Sequence, residues 1–187
     1  MSDELQLTTD QLEAGLDEIR GAPKDAGVLR LIVRRPREGQ REVVDDGQLD
    51  MVQGLVGDTW KARGSRHTPD GCADPNAQIT IMNARAANLV AGTPARWPLA
   101  GDQLYIDIDL SQDNLPAGTR LAIGSAVVEV SAQPHTGCKL FAQRFGTDAV
   151  KFVNSPEGKQ LRLRGLNAKV VQAGTVHTGD VVRKVSA

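Results

Sequence analysis

The 187-residue chain has few aromatics. Phe, Trp and Tyr make up 3% of it, so a core must be filled mainly by Val, Leu, Ile and Ala. Cysteine is scarcer still: Cys72 and Cys138 alone cannot form a disulfide framework, and both are expected as free thiols in a reducing compartment. No apolar run approaches the ~18 residues needed to span a bilayer. The opening Met1-Ser2-Asp3-Glu4 has neither the basic nor the apolar region of a secretion signal. Neither sign of charge dominates, and a formal net charge of −1 lacks the basic footprint of a nucleic-acid binder. These absences point to a cytoplasmic protein that contacts neither nucleic acid nor membrane. Sequence motifs are missing too. Without Cys-x-x-Cys, and with His67, His135 and His177 at no metal-ligand spacing, a zinc site has no basis. Gly-x-Gly-x-x-Gly, a Walker loop and Gly-x-Ser-x-Gly are absent as well, which removes the support for nucleotide-hydrolase and serine-esterase readings.

What is present is ordinary globular material, 40% apolar and 24% charged, at a length that suits one domain. Nineteen glycines fit many turns better than a helix bundle. Leu12, Leu16 and Ile19 recur at helical spacing before Gly21-Ala22-Pro23, so residues 1–25 are expected as an N-terminal helical extension that acts as a peripheral cover. Residues 26–187 are expected to form a single domain. Strands are predicted at Val28–Arg35, Arg41–Val44, Ile79–Met82, Leu104–Asp109, Arg120–Ile123, Ala126–Val130, Leu161–Arg164, Ala168–Val171 and Val181–Val185. A short helix is predicted at Asn83–Val90. A longer helical segment follows Pro134, with Phe141, Phe145, Ala149 and Phe152 on one face and Gly146 as its break. Between Gly57 and Gln78 lies a long loop without hydrophobic period, a feature that tends to be functional or disordered. There is no βαβα alternation. The expected fold class is mainly β with a few short helices, an antiparallel or mixed barrel rather than a doubly wound sheet.

Pro134-His135-Thr136-Gly137-Cys138-Lys139-Leu140 is the most informative phrase. Thr136 suits a helix N-cap and would place Cys138 in the first turn, where unpaired N–H groups favour an anion. A thiol there is a candidate nucleophile or soft metal ligand, with Lys139 and Arg144 reinforcing it. The alternative is a structural cysteine acting as a small hydrophobe. Cys72, in a turn-rich loop, reads as incidental. His135 either orients a group at the site or simply occupies a turn. Arg162 and Arg164 would share one strand face, either solvated or serving as a bidentate fork for an oxyanion. Arg63, Arg66 and Arg85 are further cationic candidates.

The run Gly137-Cys138-Lys139-Leu140-Phe141-Ala142-Gln143-Arg144-Phe145-Gly146 resembles the central motif of MOSC domains, named for the C-terminal domain of molybdenum-cofactor sulfurases. Leu163-Arg164-Gly165-Leu166-Asn167-Ala168-Lys169 and its continuation to Asp180 is similar to a second family motif. Gly57-Asp58-Thr59-Trp60 and Gln78–Asn83 look like the family's opening segment. The likeness covers roughly residues 54–185. It implies a MOSC barrel related to the pyruvate-kinase barrel domain, with residues 26–187 as that domain, in a small stand-alone member of bacterial type. It also implies that Cys138 is the signature cysteine. In such proteins the cysteine ligates molybdenum of the molybdenum cofactor, or carries a persulfide toward metal–sulfur assembly. Carried over to this chain, Cys138 would be catalytic and metal-ligating, and Thr136, Gly137, Lys139, Arg144, Arg164, Asn167 and Arg63 would bind the cofactor. The pyridoxal-phosphate desulfurase domain and the ferredoxin domain of larger members have no counterpart here. A separate reductase or cysteine desulfurase is therefore expected, together with a small-molecule substrate. Three functions follow: reduction of N-hydroxylated or N-oxide compounds, sulfur carriage, and non-catalytic binding of an anion or partner.

Overall fold

Short β-branched runs, each stopped by a glycine or proline turn, are too brief to be stable alone and must pair with distant partners. The computed structural model describes residues 6–186. Residues 1–5, the start of the expected extension, and residue 187 lie outside the described residues. The strands are β1 (Gly27–Arg34), β2 (Glu42–Val44), β3 (Asp46–Asp50), β4 (Gly54–Leu55), β5 (Ile79–Asn83), β6 (Leu104–Asp107), β7 (Arg120–Ile123), β8 (Ala126–Val130), β9 (Leu166–Gln172), β10 (Gly174–His177) and β11 (Val181–Val185). Seven of them close in the order β1-β6-β5-β9-β8-β7-β11 and back to β1. All pairings in this ring are antiparallel except β5–β6, which makes a mixed β-barrel, the class that the strand pattern predicts. The hairpin strand β2 returns antiparallel on β1, as expected.

The three-stranded sheet β10-β3-β4 is new relative to the sequence reading. Asp46-Gly47-Gln48-Leu49-Asp50 is not among the expected strands and becomes one because β10, more than 120 residues on, pairs with it from Gly174 opposite Leu49 to His177 opposite Asp46. Local propensity carries no trace of such a partner.

Helices are short: α1 (Thr9–Ala14), α2 (Leu16–Arg20), α3 (Trp60–Arg63), α4 (Ala84–Ala91), α5 (Lys139–Phe145), α6 (Thr147–Asn154) and α7 (Pro156–Gln160). The expected N-terminal helix is two pieces that meet at Gly15, where a Cβ would stand 2.5 Å from Leu89 Cδ1. The loop from Gly57 to Gln78 carries α3 and a 3-10 turn at Pro75–Ala77. Gly146, at φ 93°, separates α5 from α6 as its position predicts. Leu161–Arg164 is not a strand. It is a turn after α7, and β9 begins only at Leu166. The alternation of Leu and Arg there mimics strand periodicity, but Gly165 at φ 109° ends the turn with its Cα so close to β5 that a Cβ would meet the Ile81 carbonyl at 2.3 Å.

Two buried clusters result. Inside the barrel lie Leu29, Ile32, Ile81, Leu104, Ile106, Leu121, Ile123, Val128, Ala168, Val182 and their neighbours, with no aromatic among them. The second cluster lies between the barrel and the helices. It holds Phe141, Phe145, Phe152, Trp97 and Tyr105 with Leu12, Leu16, Ile19 and the alanines of α4. Tyr105 is therefore buried, although the alternation of β6 marks one of its faces as polar.

Candidate functional site

Cys138 is an exposed free thiol, as is Cys72. It occupies the N-cap of α5 itself, with extended backbone and no side-chain capping bond; Thr136 lies two residues before it in the exposed approach loop. The reason is packing of the loop. Asn154 of α6 clasps Gly137 from both sides, its Oδ1 accepting from the Gly137 N–H (2.8 Å) and its Nδ2 donating to the Gly137 carbonyl (3.0 Å). A Cβ at Gly137 would meet Val150 Cγ2 at 2.8 Å and Val153 Cγ2 at 2.9 Å. Glycine lets the loop lie flat on α6, and helix geometry starts only after Cys138. The Asn154 clasp is invisible in sequence, because it joins residues through a helix face.

Asn167, buried at the start of β9, donates through Nδ2 to the Gln133 and Pro134 carbonyls, 3.2 Å each. It thus holds the other end of the same loop.

The cationic residues meet on one segment, Pro98 to Asp102. Four successive carbonyls each accept from a different arginine: Arg41 on Pro98 (3.2 Å), Arg144 on Leu99 (2.6 Å), Arg164 on Ala100 (2.9 Å) and Arg35 on Gly101 (3.0 Å). Arg144 is six residues along α5 from Cys138, a rise of about 9 Å. Arg164 is nearly fully buried. Its guanidinium sits 5.1 Å from the Phe141 ring centroid and donates to Asp102 Oδ2 (2.6 Å), while its Nε has no partner among the described residues. Arg35 forms a fork on the buried Asp58 carboxylate at 2.8 and 2.9 Å. Arg63, exposed at the end of α3, lies in the field of that pair. Lys139 is exposed at the first position of α5.

Asp102 is the residue that sequence reading missed. Its side chain is completely buried and shares its oxygens between Arg164 and His135 Nε2 (2.9 Å). Burial alone would push the carboxyl up, but Arg164 and His135 outweigh it and hold it below the ordinary carboxylate range. His135 is pushed down by burial and then by the Arg164 charge, against Asp102. Burial lowers the Arg41 guanidinium as well, followed by the charges of Arg144 and Arg35. Around Gly101, then, two carboxylates face a larger number of arginines. The signal for Asp102 was a lone acid after glycine within the apolar run Trp97 to Ile106; the signal for Arg35 was a basic residue between a strand end and Pro36.

Beside this hub the loop 131–136 and the turn 158–166 enclose a cleft of about 430 Å³, with His135 and Thr136 in its wall. Cys138, Arg164 and the loop between Gly57 and Gln78 do not line it. The structure therefore gathers Arg144, Arg164 and, more loosely, Arg63 around one segment near α5, and keeps the cleft separate. Arg66 is exposed, and Arg85 pairs with Asp107 on the outside of β6, away from this segment.

No curated protein matches the sequence. The fold is similar to the crystal structure of the YuaD protein from Bacillus subtilis, with a TM-score of 0.64 at 14% identity over 87% of this chain and 97% of that one. It is also similar to YiiM from Escherichia coli (TM-score 0.55, 18% identity, 86% of this chain and 70% of that one) and YiiM from Geobacillus stearothermophilus (0.53, 17%, 86% and 74%). Among the described residues no helix is long and apolar enough to cross a membrane. A family model described as MOSC domain matches residues 58–183, the stretch that carries Asp58, the hub at Pro98–Asp102, Cys138 and Arg164. The chain belongs to the MOSC domain family.

Proposed function

We propose that this protein binds the molybdenum cofactor through Cys138 and supports reduction of small N-hydroxylated or N-oxide compounds. The observation that supports this reading best is the placement of an exposed thiol at the head of α5, the helix that also contributes Arg144 to the arginine hub. The donor set suits such a group. A soft sulfur is offered to a metal, and hard guanidinium donors in excess of carboxylates are offered to an anionic phosphate or pterin. The orphaned Arg164 Nε adds a buried donor at the same place.

In this reading Cys138 ligates the metal. Arg144, Arg41, Arg63 and Lys139 take the anionic end. Arg164 is held by Asp102 and acts from behind them. Gly137 sets the loop that presents Cys138, Thr136 faces the separate cleft, and Asn167 and Asn154 keep that loop in place. When bound, the cofactor would supply a redox-active metal for two-electron cleavage of the substrate N–O bond, the oxygen leaving as water. The electrons come from a separate reductase. The Asn154 clasp limits the freedom of Cys138, which lowers the cost of ligation.

The test is metal content. Chain produced in a host that makes the cofactor should carry molybdenum, and Cys138→Ser should lose nearly all of it while remaining folded, because an alcohol is a poor soft-metal ligand. Unchanged molybdenum in Cys138→Ser would sink the ligand assignment. Sulfane sulfur on Cys138 without molybdenum would replace this reading by sulfur carriage, with a cysteine desulfurase as donor.

A further inference from the structure

The cleft between the 131–136 loop and the 158–166 turn has a chemistry of its own. His135 enters its wall with a fixed tautomer. Asp102 is ionised and can only accept, so Nε2 carries the proton and Nδ1 keeps its lone pair. Nδ1 has no hydrogen-bond partner among the described residues, and it is not one of the closed-off buried polar atoms. The side chain is 18% exposed and belongs to the cleft wall, so Nδ1 is the ring's free acceptor on an imidazole whose other nitrogen is held by Asp102.

Two cations border the same space, Lys159 and Arg162. No carboxylate lines it. Asp102 stands behind His135 and is spent on it and Arg164; Glu157 and Asp113, adjacent in sequence to lining residues, are engaged by Arg20 and Gln160. Arg162 is fixed by donation from one guanidinium nitrogen to the Leu110 and Leu115 carbonyls, which leaves its other nitrogens available. Ser131 and Thr136 add neutral polar groups, while Val153 and Leu166 provide an apolar floor. The arginine hub differs: its guanidinium groups, already set on the carbonyls of Pro98 to Gly101, suit a phosphate-like anion. The cleft suits a carbon skeleton.

We propose that this cleft is a second ligand site, distinct from the Cys138 site, which takes a small organic anion carrying a hydroxyl or N–H donor. The carboxylate or other anionic group lies toward Lys159 and Arg162. The donor is received by His135 Nδ1, and the hydrocarbon part rests on Val153 and Leu166. A volume of about 430 Å³ accommodates a molecule with a single ring.

The probes are mandelate, phenylacetate, which lacks the hydroxyl, and benzyl alcohol, which lacks the charge. Each is titrated into the full chain and followed by amide and imidazole nitrogen NMR. Mandelate should shift residues 131–136 and 158–166 together with His135 Nδ1, and should bind about three- to tenfold more tightly than phenylacetate, the scale of one hydrogen bond. Benzyl alcohol should bind more weakly than mandelate. His135→Phe should erase the preference for mandelate over phenylacetate. Lys159→Gln, a change at an exposed position, should weaken both acids and leave their ratio intact. Cys138→Ser should bind all three as the parent does, so failure of the cofactor reading would leave this result standing. Equal affinity for mandelate and phenylacetate would overturn the proposal. So would unchanged acid binding in Lys159→Gln, or shifts confined to Arg41 and Arg144.

Discussion

The barrel interior and the helix layer outside it are built from different residues and do different work. The interior cluster is aliphatic throughout, and its small branched side chains interlock within a ring of seven strands. The helix layer holds the three phenylalanines with Trp97 and Tyr105, the large plates that can span the wider and less regular gap between a sheet and short helices. The buried pair of Asp102 and Arg164 adjoins the second. Asp102, Arg164 and His135 thread between Phe141 and the barrel mouth, and the loop bearing Cys138 is pinned to α6. The barrel supplies rigidity, and the helix layer positions the polar groups. Scarcity of aromatics is thus a statement about the barrel; five of the six are gathered in the helix layer, and Trp60 lies in α3.

That division can be broken by experiment. Phe145→Ala should cost about 3–5 kcal/mol and Ile123→Ala about 2–5 kcal/mol in urea unfolding, comparable losses from the two layers. They should part in the alkylation rate of Cys138, which Phe145→Ala alters and Ile123→Ala leaves alone. An equal change in both would dissolve the comparison. Asp102→Asn belongs with the large effects too, at about 3–5 kcal/mol, because it leaves the buried Arg164 charge uncompensated. A loss below ~1 kcal/mol would show that Arg164 finds another anion or reaches water.

Gly137→Ala sharpens the picture on a smaller scale. The added methyl must push against Val150 and Val153, for a cost of about 1–3 kcal/mol. It should also change the alkylation rate of Cys138 relative to Cys72, whose thiol is pushed up by its hydrogen bond to Asp70 and so reacts slowly. A stability loss without any change at Cys138 would mean that the clasp does not position the thiol.

The smallest effect is one of pH. Folding lowers the His135 pKa below its ordinary 6.5, so the folded protein resists a proton that the unfolded chain accepts. Stability from this group is complete above pH 6.5 and falls as the pH drops below it, at a slope of up to about 1.4 kcal/mol per pH unit, until folded His135 protonates as well. Asp102, held low, stays ionised through that window and adds its own loss only at more acid pH. Chemical unfolding at a series of pH values should show the slope, and His135→Gln should flatten it. An unchanged slope would place the proton uptake elsewhere.

By itself the sequence determined the barrel class, the short helix α4 and the α5–α6 break at Gly146, because each depends on local periodicity or on the backbone freedom of one residue. Strand-like Leu161–Arg164 went astray and β3 went unread for the same reason: pairing and termination were settled by β10 and by the close approach of Gly165 to β5. The site was legible only in its parts. Cys138, Arg144 and Arg164 stand out as residue types, but the gathering of the two arginines on the carbonyls of Leu99 and Ala100 could not be read from spacing. Nor could Asp102 be assigned to Arg164, 62 residues away, or Asn154 to Gly137. Tertiary structure alone decided these, since a buried charge must find its counter-charge wherever the chain brings one, and no local rule records which element that will be.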